Sequence, residues 1–126
     1  MTSALIPPAT GIDVPYVILP WPPSILYPSA QVFWTKKANA AEDYKRACWV
    51  LAKQAHLKLP ETPCINVLLE FFPPGKRLFG DVNCIDAFKA GRDGVAMALG
   101  VDATLFRTTT EIKQKIGGYV KFSIFV

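Results

Sequence analysis

Proline is the residue that most constrains how this chain of 126 residues can fold. Most of its eleven prolines are clustered, and the clusters at 20–23, 60–63 and 73–74 bracket the apolar segments. Proline fixes φ and has no backbone donor, so it ends helices and central strands. The clusters therefore divide the chain into short elements. The prolines before residue 30 also exclude a spanning helix from the weakly charged N-terminal stretch, so we expect no membrane partner.

Hydrophobic periodicity assigns a structure to each segment between these breaks. A helix is predicted from about 40 to 57, with Asn39 as its N-cap and Glu42 in its first turn. A second helix is predicted over 83–98, with Gly91 and Gly94 as internal weak points and Gly100 as its end. Strands are predicted at 14–19, 64–72, 103–113 and 119–126. The order β-α-β-α-β-β predicts an α+β fold, a mixed sheet with two helices on one face. Residues 1–14 are expected to form a flexible arm and 15–126 one domain.

Composition narrows the class of protein. The apolar fraction is 51%, which is typical of a globular domain. The net charge of +4 favours a polyanionic partner without requiring one. The three cysteines and the one histidine, His56, are widely spaced and include no CxxC pair, which excludes a structural zinc site with its ligands at short spacings. Cys48 and Cys64 lie in apolar periodic segments and are interpreted as small buried residues, which suits a reducing cytoplasm. His56 is interpreted as a helix-terminal residue.

Three segments form a recognisable series along the chain. They are Leu19-Pro-Trp-Pro-Pro-Ser24; Phe72-Pro-Pro-Gly-Lys-Arg77 with Asn83 and Phe88–Val95; and Ala98–Asp102 with Phe106-Arg107 and Gly117-Gly118. Taken in order, they resemble RusA-type Holliday junction resolvases in the form seen in phage and prophage members. The resemblance spans about residues 16–126. It implies a homodimeric, magnesium-dependent endonuclease that cuts four-way DNA junctions in recombination and repair.

The resemblance also implies a metal site built from a D-x-D-N motif at the second helix, a D-D pair before the next strand, and a helix lysine. Mg²⁺ requires converging carboxylate oxygens for such chemistry. This chain departs from the pattern, since Gly80, Val82 and Ala103 occupy expected aspartate positions in the ungapped register. In the alternative register, Asp81 matches the first aspartate. Asp81 and Asp102 are therefore the candidate metal ligands and catalytic carboxylates, with Lys89 assisting.

Each of these acidic residues also has a structural interpretation. Asp81 is equally suited to the N-cap of the second helix, and Asp102 suits a turn after Gly100. Asp86 and Asp93 lie on the same helix face as Lys89, where the simplest interpretation is an exposed ion-pair ladder. Asp93, before Gly94, also suits local backbone capping.

Basic and aromatic side chains supply the candidate DNA contacts. The predicted phosphate contacts are Lys76, Arg77, Lys36, Lys37, Arg92 and Arg107. The aromatic residues Trp21, Tyr27, Phe33 and Trp34 suit either stacking on unpaired bases or packing in a core or dimer interface.

The sequence is compatible with three functions. The first is a dimeric junction-resolving endonuclease in the cytoplasm of a bacterial or phage-infected cell. The second is a relative that binds branched DNA without cleaving it. The third is a dimerisation module that uses the same fold without nucleic acid.

Overall fold

The structure, a computed structural model, describes residues 14–59 and 63–125. Apart from Val14, the predicted N-terminal arm lies outside the described residues, as does Val126. The strands are β1 (Tyr16–Pro20), β2 (Ile65–Phe72), β3 (Phe106–Ile112) and β4 (Tyr119–Phe125). The helices are α1 (Trp34–Ala55), α2 (Asn83–Ala87) and α3 (Lys89–Leu99). Single 3-10 turns at Ser24–Leu26, Lys76–Leu78 and Ala103–Leu105 precede α1, α2 and β3.

The four strands form one open mixed sheet in the order β1-β4-β2-β3. β4 is antiparallel to both of its neighbours, and β2 is parallel to β3. The predicted α+β class and mixed sheet are confirmed for a single small domain, with three helices instead of the two predicted. Since β1, β2 and β3 all run in one direction, their last residues lie at the same end of the sheet. We call this end the carboxyl edge.

The core is formed by alternate residues of the strands and by the helices. The most deeply buried of them in β2 and β4 are Val67, Phe71, Val120 and Phe122, each fully buried. The helices add Tyr44, Cys48 and Ala52 from α1, Cys84 and Ala87 from α2, and Val95 from α3. Successive strand side chains point to opposite faces, so the period-two pattern selects the face that packs in this cluster. In β4 this alternation buries Val120, Phe122 and Ile124 in the core cluster.

Helix α1 begins at Trp34, six residues before the predicted start, so the N-cap assigned to Asn39 is wrong. The backbone of Phe33 is extended, and the Lys37 N–H donates to the Phe33 carbonyl oxygen at 3.2 Å. Among the added residues, Lys37 is held by a tertiary contact, since its Nζ donates to the Tyr27 carbonyl oxygen at 3.1 Å. A contact with another segment is thus available to residues that sequence would place before the cap. His56 ends it in the left-handed conformation, with φ of 51°, which confirms its helix-terminal position.

The predicted second helix is two helices joined at Phe88, which corrects the continuous span. Phe88 has φ of −79° and ψ of −10°, and its side chain is 1% exposed. Its ring meets Phe71 and Tyr44 edge to face, with centroid distances of 5.7 and 6.3 Å. Sequence periodicity could not locate this break, because both halves keep the same apolar stripe.

The glycines of α3 allow α1 and α3 to pack closely, which corrects their interpretation as weak points. A Cβ on Gly94 would overlap the carbonyl oxygen of Lys45 in α1. A Cβ on Gly91 would lie 2.8 Å from the Tyr44 ring and 3.1 Å from the Cys48 sulfur. The two helix backbones therefore approach at a distance that only glycine permits. Within 14–59 and 63–125, no helix has the length and apolar character needed to cross a bilayer.

Candidate nucleic-acid interface

A cleft of about 380 Å³ opens at the carboxyl edge, where the chain leaves β1 and β2. Trp21 and Tyr27 form one side, and Pro74, Arg77 and Asp81 contribute the other. We call it the Trp21 cleft. The Trp21 Nε1–H donates to the Tyr27 hydroxyl at 3.0 Å, and the Trp21 ring packs edge to face on Phe71 at 6.0 Å. The contacts hold both aromatic rings in the wall of the cleft, which favours packing over stacking on unpaired bases as their role.

Burial raises the pKa of the Tyr27 hydroxyl, while the hydrogen bond from Trp21 acts in the opposite direction. The nearby Cys84 and Asp81 also raise the pKa of this group, and Arg77 lowers it. Tyr27 is therefore protonated at neutral pH, and it offers a donor and an acceptor to the cleft. Burial likewise raises the pKa of the Cys84 thiol, to about 11, so this cysteine is not a thiolate nucleophile.

Asp81 closes the turn that leads into α2. Its Oδ1 accepts the Asn83 N–H at 3.0 Å, and its carbonyl oxygen accepts the Cys84 thiol at 3.2 Å. The N-cap position of α2 is Val82, without a side-chain cap hydrogen bond, so the interpretation of Asp81 as the N-cap is wrong by one residue. Asp81 instead accepts from the residue two positions later, in a local turn just before the helix. The side chain is half-buried and lines the same cleft as Arg77. Asp81, a predicted catalytic carboxylate, and Arg77, a predicted DNA contact, therefore line the same cleft.

A second depression, of about 310 Å³, lies between the start of α1 and the α2–α3 junction. Its charged lining residues are Lys37, Asp86 and Lys89, with Leu26 and Trp34 beside them. We call it the α1–α3 groove. Lys89 Nζ and Asp86 Oδ1 are 3.6 Å apart, and both side chains are more than half exposed. An exposed pair at this distance contributes little to stability, so the ammonium group is available to a ligand.

The groove and the cleft are adjacent. Lys37 Nζ donates to the Tyr27 carbonyl oxygen at 3.1 Å, which anchors the loop between them. Leu26 of this loop lines the groove, and Tyr27 lines the cleft. Residues from four separate parts of the sequence therefore meet on one side of the domain.

Asp102 lies away from this region. Its Oδ1 accepts both the Thr104 N–H and the Thr104 hydroxyl at 2.9 Å, and these bonds lower the pKa of its carboxyl group. It precedes β3, whose first residue, Phe106, pairs with Ile65, the first residue of β2. Asp102 therefore lies at the amino end of the sheet. It is a turn residue there, as its structural interpretation from the sequence proposed. Eight residues of β2 separate the two ends, a distance on the order of 20 Å.

The predicted metal site therefore does not assemble within one chain. Mg²⁺ needs several oxygen ligands at about 2.1 Å in octahedral geometry. Among the described residues, no three His, Cys, Asp or Glu side chains come together. Asp81 and Asp102 lie at opposite ends of β2, and each has an oxygen engaged in its own turn. These residues do not fit a shared ion, so no hydrolytic step through magnesium follows from them.

The remaining predicted DNA contacts do not all lie near the cleft and the groove. Lys36 is exposed beside Lys37, and Lys76 is exposed beside Arg77. Arg107 is exposed near the start of β3, at the end of the sheet opposite the cleft. Arg92 Nη2 lies 3.3 Å from Asp93 Oδ1, so Asp93 pairs with Arg92 and not with Lys89 as the ladder predicted. Arg92 Nε is buried without a hydrogen-bond partner among the described residues.

The electrostatic character of the α1 start was not predicted from the sequence. The first turn has no acidic residue and carries Lys36 and Lys37, and no described side chain caps it. Cations near a helix N-terminus oppose its dipole, at a cost of about 0.3–1 kcal/mol each. Lys36 and Lys37 could have indicated this unfavourable charge. They were not recognised as first-turn residues because the helix was expected to begin later.

Comparison with known proteins adds one relative. The chain is 35% identical over 101 residues to an uncharacterised protein of Xylella fastidiosa. The match covers 78% of this chain and 66% of that protein, so about a third of the relative lies outside it. No family model matches the chain. The fold class, a small α+β domain with an open mixed sheet, is thus defined by the structure.

Proposed function

We propose that this protein binds branched DNA, with four-way junctions as the preferred ligand, as a homodimer related to the RusA-type resolvases. It would act in recombination or repair in the cytoplasm of a bacterial or phage-infected cell. One observation carries this proposal. Lys37 and Lys89 share the α1–α3 groove, and Arg77 lies in the adjacent Trp21 cleft, although these residues are far apart in sequence.

Phosphate recognition explains why such a grouping would exist. Exposed cations held on different elements can follow the spacing of a nucleic-acid backbone, and such contacts dominate affinity. Lys36 and Lys76 are exposed, and each is next in sequence to one of these cations, Lys37 and Arg77. The neighbouring acidic groups, Asp81 and Asp86, are fewer than the cations. The local charge therefore favours a polyanion.

The binding test uses fluorescence anisotropy with a labelled synthetic four-way junction and a linear duplex of the same arm sequence. Lys89→Ala and Arg77→Ala should each weaken junction binding and reduce the salt slope by about one. Lys53→Ala is the matched control, because Lys53 is an exposed lysine in the last turn of α1. If the wild type binds no DNA at low salt, the proposal is rejected in favour of the dimerisation module. Sedimentation of the wild type tests the homodimer.

Cleavage is the second candidate, and the position of Asp81 favours it, since this carboxylate lies in the cleft with Arg77. The two candidates differ when the junction is incubated with Mg²⁺ or Mn²⁺. Binding alone predicts a gel shift and no cut strands. Symmetric cut products that are lost in Asp81→Asn would establish cleavage and exclude a binding-only role. Asp102→Asn should leave either outcome unchanged, because Asp102 lies at the far end of the sheet.

A further inference from the structure

Two aromatic side chains at the start of α1 project into solvent. Trp34 is 79% exposed and Phe33 is 77% exposed, and the preceding Val32 is also exposed. The other aromatic residues that sequence grouped with them, Trp21 and Tyr27, are partly buried and hydrogen-bonded to each other. The four aromatics therefore have two different roles. A contiguous exposed apolar segment of this kind marks an interaction surface.

Each ring lines a depression that also contains a lysine. Trp34 lines the α1–α3 groove together with Lys37 and Lys89. Phe33 lines a separate shallow depression with Lys36. Each ring is thus paired with a cation that faces the same space. Aromatic side chains beside basic ones suit a nucleic-acid strand, which presents flat bases and charged phosphates together.

We propose that Phe33 and Trp34 form a platform on which unpaired bases at the branch point of the DNA stack, while Lys36, Lys37 and Lys89 bind the adjoining phosphates. This inference rests on the proposed function and specifies how the branch is distinguished from a duplex. Bases in a continuous duplex are already stacked and cannot use the rings. Bases exposed at an open branch point can stack on them. The platform therefore supplies preference for branched DNA, and the lysines supply affinity for any DNA.

The charge of the neighbourhood favours this occupant over a second copy of the chain. A copy that docked the same surface symmetrically would bring these lysines close to their own equivalents, which is unfavourable. A nucleic-acid strand brings phosphates to them instead.

The test compares junction and duplex dissociation constants for three variants of Trp34. Trp34→Ala should weaken junction binding about 5-fold or more and leave duplex binding within about 2-fold of the wild type. Trp34→Tyr should retain most of the junction preference, because it keeps an aromatic face. Trp34→Leu should lose it while keeping apolar area. Phe33→Ala should behave like Trp34→Ala, with no change in salt slope, whereas Lys36→Ala should reduce that slope.

Tyr16→Ala is the control for an exposed aromatic elsewhere, since Tyr16 lies on β1 at the opposite end of the sheet. It should leave junction binding unchanged. If the wild type prefers junctions and Trp34→Ala retains that preference, the platform is refuted while the proposed function stands. If Trp34→Ala instead converts a sedimenting dimer to a monomer, the surface is a contact between copies and the platform is again refuted. If the wild type binds no DNA, the proposed function fails first.

Discussion

Replacement of Gly94 by alanine tests the packing that places the α1–α3 groove. The added Cβ would overlap the Lys45 carbonyl oxygen, and the Lys45 carbonyl carbon and Trp49 nitrogen lie 3.1 and 3.2 Å from its position. All three atoms belong to the α1 backbone, so no side-chain rotation relieves the contact. Overpacking a core typically costs 1–3 kcal/mol, and a backbone clash belongs at the upper end of that range. Alanine recovers about 1 kcal/mol of helix propensity. We expect a net destabilisation of about 2 kcal/mol.

The assay is thermal and urea unfolding followed by far-ultraviolet circular dichroism. For a domain of this size, about 2 kcal/mol corresponds to a fall in Tm of about 8 °C. Gly75→Ala is the matched control. Nothing lies within 4 Å of its added Cβ, and its φ of −160° suits any residue. It should leave stability unchanged or raise it by about 0.5 kcal/mol. Equal stability of Gly94→Ala and the wild type would refute the close approach of α1 and α3.

Three further perturbations test other parts of the structure. Lys36→Glu should stabilise the fold by about 0.5 kcal/mol, because it places an anion at the α1 N-terminus. The same variant should weaken DNA binding. Lys53→Glu makes the same charge change in the last turn of α1 and should destabilise the fold. A stability gain in both or in neither would contradict the dipole argument. Tyr44→Phe removes the 2.6 Å hydrogen bond to the Pro20 carbonyl oxygen and should lower the free energy of unfolding by about 1 kcal/mol in urea; an unchanged midpoint would contradict this role of the hydroxyl. The lowered pKa of Asp102 stabilises the fold above the unfolded value of about 3.9, and this contribution is lost as pH falls through the folded value. Thr104→Ala should raise the pKa of Asp102 toward its ordinary value in a carbon-13 NMR titration, and an unchanged midpoint would show that the hydroxyl has no part in the shift.

The sequence predicted the strands well because their signals are local. Proline clusters set where segments stop, and the alternation in Tyr119–Phe125 selected the buried face. Both signals arise from backbone geometry, which a single segment carries by itself. The predicted turn role of Asp102 succeeded for the same reason, since its partner Thr104 is two residues away.

Helix boundaries and glycine roles were predicted less well because they depend on distant partners. Trp34 begins α1 without a described side-chain cap, and Lys37 in the added residues bonds to the carbonyl oxygen of Tyr27 in a preceding loop. Gly94 was interpreted from helix propensity alone, but its neighbour Lys45 lies far away in sequence. Propensity is a weak guide wherever tertiary contacts outweigh it.

The sequence by itself determined the α+β class, the strand segments and the list of charged and aromatic side chains that could meet DNA. Only the tertiary structure decided which of them meet. It placed Lys37 beside Lys89 and Arg77 beside Asp81, and it separated Asp81 from Asp102 by the length of β2. The physical reason is that parallel pairing of β2 with β3 returns the chain to the amino end of the sheet before β3 begins. Strand pairing is a contact between distant segments, and no local pattern encodes it.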